Sequence, residues 1–166
     1  MLTAHYDSLL VLISLLVAIL ASYTALDMAG RINSASARGS ILWLAGGAVA
    51  MGIGIWSMHF IGMLSFNLPI PLGYDLGITV LSLVIAIVAS GFALWRISQA
   101  ELPFLQLLGS AILMGIAIAA MHYTGMAAMQ MTPGIEYDPV LFALSILIAI
   151  LSLIHISEPT RLRRIS

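Results

Sequence analysis

The chain has 166 residues, 61% of them hydrophobic and only 8% charged, and its formal net charge is −1. A soluble domain of this size carries about a quarter of its residues as Asp, Glu, Lys or Arg, so a mean hydropathy of +1.11 excludes one and leaves an integral membrane protein. The absence of cysteine excludes disulfides, thiolate metal sites and thiol redox chemistry.

Apolar runs of about 17 to 25 residues are long enough to cross a bilayer as helices. Five are predicted, over 9–26, 41–66, 76–95, 104–129 and 140–156. The alternation of a membrane β-barrel is missing, which leaves an all-α, polytopic bundle of five transmembrane spans. No basic segment precedes the first run, so no cleavable signal peptide is expected.

Helix one is opened by Tyr6-Asp7, and the loop after it, 27–40, carries Arg31 and Arg38. Helix two contains Met58-His59-Phe60-Ile61-Gly62-Met63 in an otherwise uncharged stretch. The following loop has no basic residue, and Tyr74-Asp75 then opens helix three. The third loop, 96–103, begins with Arg96. Helix four contains Met121-His122-Tyr123-Thr124-Gly125-Met126, and the loop after it has only Glu136 and Asp138 as charges, before helix five. By the positive-inside rule, loops 27–40 and 96–103 face the cytoplasm, and the N-terminus faces outward.

The chain repeats itself. Met51-Gly52-Ile53 returns as Met114-Gly115-Ile116, the Met-His stretch of helix two returns in helix four, and Tyr74-Asp75 returns as Tyr137-Asp138, each 63 positions on. The odd helices share a second pattern, Tyr-Asp followed by Ser14, Ser82 or Ser145 in register with alanines. Tyrosine and a carboxylate suit an interfacial helix start, and the small residues read as a close-packing stripe. The unit is therefore two helices, an odd one opened by Tyr-Asp and an even one ending in Met-His. Two units are complete and a third is begun; an even number of spans makes the repeats parallel. His59 and His122 then share one depth, about seven residues or roughly 10 Å from the outer helix ends.

From Leu151 the pattern stops. Leu151 to Arg161 resembles the in-frame translation of a transposase adapter used in sequencing libraries, so 151–166 is read as a non-native tail. The membrane unit is 1–150; His155 is then no ligand, and Arg161, Arg163 and Arg164 carry no weight in the topology.

His59 and Met63 lie on one helix face, as do His122 and Met126, with Met58 and Met121 on the flanks. Imidazole and thioether together form a soft donor set suited to Cu(I). Gly62 and Gly125 would let another backbone approach, and Ser57, Tyr123 and Thr124 could hydrogen-bond the histidines. The structural alternative is that each histidine only bonds a neighbouring helix and each methionine only fills space. Recurrence at equal depth favours a site instead, because packing does not require the same spacing twice. Two histidines on neighbouring helices would also suit the axial positions of a b-type haem, and methionine-lined helices would suit copper transport or delivery. No triad, phosphate loop, intramembrane carboxylate pair or nucleic-acid patch is visible, so neither an enzyme nor a nucleic-acid binder is expected.

Met121-His122-Tyr123-Thr124 resembles the motif that gives the MHYT domain family its name, and the resemblance runs from about Tyr6 to Ile150. It implies a multi-pass sensor module of the bacterial inner membrane, and a copper site that detects oxygen, carbon monoxide or nitric oxide. It also implies a C-terminal diguanylate cyclase or cyclic di-GMP phosphodiesterase module, and it is compatible with self-association. The ligands it implies are Met58, His59, Met63, Met121, His122 and Met126. The family pattern has about seven spans and a third motif, whereas this chain has five spans and two motifs.

Overall fold

A computed structural model describes residues 5–67, 72–99, 103–131, 134 and 136–162, with the side chains of 5, 33, 67, 104 and 153–162 outside the description. Five helices follow one another: α1 (Ser8–Ser34), α2 (Ala37–Leu64), α3 (Leu76–Ile97), α4 (Phe104–Ala127) and α5 (Pro139–Leu162). The first four are long and apolar enough to cross a membrane, and the described apolar part of α5 is Pro139–Ser152. Each helix packs mainly on the next in sequence. The tail expected from Leu151 continues α5 without a backbone break as far as Leu162; residues 163–166 lie outside the described residues.

The odd helices start where the repeated aspartates stand. Asp7 accepts from the amides of Leu9 and Leu10, Asp75 from that of Ile78, and Asp138 from those of Val140 and Leu141, at 2.8–3.2 Å. Each carboxylate satisfies amides that the first helical turn leaves unpaired. The even helices differ: Ser36 caps α2, accepting from Gly39, and α4 starts after Pro103 without a side-chain cap.

The helix boundaries depart from the apolar runs at both ends. Loop 27–40 shrinks to Ala35–Ser36, because α1 runs on to Ser34 and α2 begins at Ala37. Hydropathy marks where hydrocarbon ends, not where the helix does. Beyond that point the Asp27–Arg31 pair, 2.7 Å apart across one turn, keeps α1 helical among polar neighbours. At the opposite end, α2 and α4 stop at Leu64 and Ala127, two residues before their apolar runs finish.

The last residue of each run, Phe66 and Met129, enters a strand instead. β1 (His5–Tyr6) pairs antiparallel with β2 (Phe66–Asn67), and β3 (Gly73–Tyr74) with β4 (Met129–Gln130). Beside each ladder the aspartate amide donates to the residue just past the even helix, Asp7 to Ser65 and Asp75 to Ala128, both at 2.8 Å. Each helical pair is thus a hairpin whose open end is tied by backbone hydrogen bonds. Strands of two residues leave no alternation in a sequence, so they were not foreseen.

The duplication is equally visible in the packing. A Cβ on Gly52 would lie 2.5 Å from the Cα of Ile87, and one on Gly115 would lie 2.9 Å from the Cα of Ile150. Both contacts join an even helix to the odd helix after it, at matching positions in the two repeats. Small residues allow this approach, and in lipid such packing is a main source of helix association. Gly52→Ala or Gly115→Ala should each lower stability in detergent by about 1–3 kcal/mol through overpacking. Gly46→Ala, where a Cβ meets nothing within 4 Å, should leave the unfolding midpoint unchanged or slightly raised.

Candidate functional site

His59 stands five residues before the end of α2, and His122 five before the end of α4. Both are about 7.5 Å from their helix ends at 1.5 Å per residue, shallower than expected because the chain leaves the helix early for β2 and β4. The two imidazoles meet edge to face, with centroids 4.8 Å apart and an interplanar angle of 67°. Elsewhere α2 and α4 approach each other far less than sequential helices do. The contact joins the repeats where the sequence is duplicated.

Nε2 of His59 is buried and has no hydrogen-bond partner. It faces the backbone of α4 at Gly125, where a Cβ would lie 3.3 Å from it. An unpaired buried polar nitrogen costs about 1–3 kcal/mol. Gly125 thus makes the close approach assigned to it, toward a ring. Gly62 does not, since a Cβ there would meet nothing within 4 Å. Gly125 faces the histidine of the preceding even helix.

Of the six proposed ligands, the two imidazoles are in direct contact. Met63 and Met121 are buried beside them on the same helices, while Met58 and Met126 are half-buried. The two motifs are therefore used unequally. Tyr123 packs on His122 at 4.9 Å, but its hydroxyl pairs with Ser145 of α5 at 2.6 Å instead of the imidazole. Ser57 and Thr124 are half-buried near the histidines in sequence.

Two residues belong to this neighbourhood that the spacing of Met and His did not single out. Ser82 of α3, only 1% exposed, accepts from Nε1–H of Trp56 at 2.9 Å. Its Oγ lies 3.9 Å from the same Gly125 Cβ position that His59 crowds. Trp56 therefore points inward, stacked on Phe60 at 4.9 Å. Trp43 and Trp95 sit at the arginine end, under the guanidiniums of Arg31 and Arg96 at 4.9 and 5.5 Å. The signal for Ser82 was its recurrence in every odd helix at the depth of the histidines. Beyond Phe60 lies Tyr74, whose phenol burial pushes above its ordinary range, so it stays protonated.

The described residues form a duplicated pair of membrane-length helices with paired imidazoles near one end. The chain belongs to the MHYT family, described as the bacterial signalling protein N-terminal repeat, which matches residues 52–110 and 115–155. The two matched segments begin 63 residues apart, the period of the duplication. Over 152 residues the chain is 64% identical to the bifunctional diguanylate cyclase/cyclic di-GMP phosphodiesterase MucR of Pseudomonas aeruginosa, covering 92% of this chain and 22% of that protein. It is 48% identical over 145 residues to the cyclic di-GMP phosphodiesterase NbdA of the same organism, covering 87% of this chain and 18% of that one. Similarity to the signalling protein YkoW of Bacillus subtilis is 36% over 145 residues, again 87% and 18%. The chain thus spans about a fifth of the length of these curated relatives. No solved structure matches it.

The geometry separates the two motif glycines. Gly125→Ala should displace the His59 ring and lower stability by about 1–2 kcal/mol, whereas Gly62→Ala should change it by less than about 0.5 kcal/mol. Thermal unfolding of the two variants in one detergent checks the difference.

Proposed function

We propose that this chain is a membrane sensory domain that holds one copper ion between its two repeats and responds to oxygen, carbon monoxide, nitric oxide or redox state. His59 and His122 would supply imidazole nitrogens, and Met58, Met63, Met121 and Met126 are the thioether donors available to complete the set. The observation that carries this reading is the contact of the two rings, with Nε2 of His59 buried and unspent. A lone pair left unpaired in a low-dielectric interior is costly, and a soft cation is the partner that imidazole and thioether suit together. No group of three or more His, Cys, Asp or Glu occurs among the described residues, which weighs against a zinc site and favours the His/Met chemistry. When bound, copper supplies a one-electron couple and a coordination position for a small uncharged ligand.

The residues of the chain do the rest. α2 and α4 present the rings from separate repeats, so a change in ring spacing beyond what side-chain rotation absorbs would move one helix against the other. Gly125 admits His59 to the α4 backbone, and burial keeps bulk water from the imidazole nitrogen. The arginine end would face the cytoplasm by charge asymmetry, with the histidines then in the outer leaflet of a bacterial inner membrane. The far end of α5 then points to where a fused diguanylate cyclase or phosphodiesterase would receive the signal. Haem fits less well: its axial histidines must stand on opposite faces of a macrocycle, and these rings touch.

The purified chain in lipid nanodiscs should retain one copper per chain after washing with a weak chelator and should show no Soret band. His59→Ala and His122→Ala should each lower copper retention at least about tenfold, with the double variant no worse, as for two ligands of one ion. A Soret band, or copper retained undiminished by both variants, overturns the assignment. Metal uptake into sealed vesicles would replace sensing with transport.

A further inference from the structure

Ser14, Ser82 and Ser145 occupy matching positions in the three odd helices, and all three bend their hydroxyl back to the carbonyl three residues earlier. The acceptors are Val11, Thr79 and Phe142, at 2.7–2.8 Å. With that proton committed, the serine oxygen has only lone pairs to offer a neighbour. In two of the three cases an aromatic donor from the preceding even helix takes them: the indole N–H of Trp56 at Ser82, and the phenol O–H of Tyr123 at Ser145. The two donors are not equivalent positions of the duplication. Trp56 corresponds to Ala119, and Tyr123 corresponds to Phe60, one helical turn away. The repeats have diverged in which residue donates while keeping the same acceptor.

Tyr123 meets its imidazole directly, and Trp56 is linked to the other through its neighbours. Trp56 stacks on Phe60, the residue after His59, at 12° between planes, and Ser82 shares the Gly125 crevice with the His59 ring. Tyr123 meets the His122 ring directly, with centroids 4.9 Å apart, and is held from behind by Phe142 at 4.5 Å and Tyr137 at 5.5 Å. A side-chain ring has few rotamers and a hydrogen bond at its far tip removes the remaining freedom. We propose that Ser82 and Ser145 are positioning residues of the histidine pair, fixing Trp56 and Tyr123 so that these rings hold His59 and His122 edge to face. α3 and α5 thereby hold the site although they contribute no ligand to it.

This inference rests on the histidine pair being the functional site, and its test has an arm that needs no metal. In the full chain in nanodiscs with 15N-labelled histidine, Ser82→Ala should shift the His59 ring resonances, and Ser145→Ala those of His122. Ser14→Ala, which removes the same backward bond where no aromatic donor is attached, should shift neither. Trp56→Phe and Tyr123→Phe should reproduce the respective serine shifts, and each double variant should match its single variants if one hydrogen bond carries the effect. In the copper(I) arm, affinity should fall about three- to tenfold in Ser82→Ala and Ser145→Ala, the range expected for one hydrogen bond. It should be unchanged in Ser14→Ala. Unmoved histidine resonances in both variants, or equal shifts in the Ser14→Ala control, overturn the proposal. Shifted resonances in a chain that binds no copper leave the positioning role standing and remove the metal.

Discussion

Helices in hydrocarbon gain little from hiding apolar surface from one another, because lipid tails are equally apolar. What can hold them is close contact, and here that contact depends on bare backbone at Gly52 and Gly115 against Ile87 and Ile150. Each glycine brings an even helix onto the following odd helix at the same place in its repeat. α3 is consequently shared, packed against α2 on one side and α4 on the other. Only with α3 in that shared position do His59 and His122 reach one another.

The histidine pair is therefore a property of the assembly of repeats. Neither repeat contains two Met-His motifs, and the two motif histidines meet only across the repeats. Duplication supplies equal depth, and the backbone ladders at the aspartate end preserve it, since Asp7 and Asp75 each fasten the same point past an even helix. Symmetry is then broken in detail: Met63 is buried from one motif and Met121 from the other, and Nε2 of one ring faces backbone while its counterpart glycine, Gly62, faces open space. A site built from two copies of one sequence need not be two copies of one environment.

Much of this was legible in the sequence. Five helices, the 63-residue repeat and the pairing of His59 with His122 follow from hydropathy and spacing, because span length and periodicity are strong signals in a membrane protein. The helix ends were less legible. Arg31 and Asp27 look like loop residues until they are seen as an ion pair along α1, and Phe66 and Met129 look like helix until they are seen in ladders. Ser82 was in view as a stripe member, but its hydrogen bond with Trp56, 26 residues away, leaves no trace in either local pattern. The unequal use of the methionines was illegible for the same reason. It arises from how the copies meet.

The ladders that close each hairpin are also placed where a fulcrum would stand. α2 is 28 residues long, about 42 Å at the usual rise, and it is fastened near Leu64, only a turn and a half from His59. A rod pivoting close to one end travels little there and far at the other. A tilt that displaces the imidazole by a fraction of an ångström would move the start of α2, beside Arg38, roughly fivefold further, from the ratio of the two arms along the helix. Small chemistry near one face of the membrane would thus gain mechanical reach at the other by leverage alone.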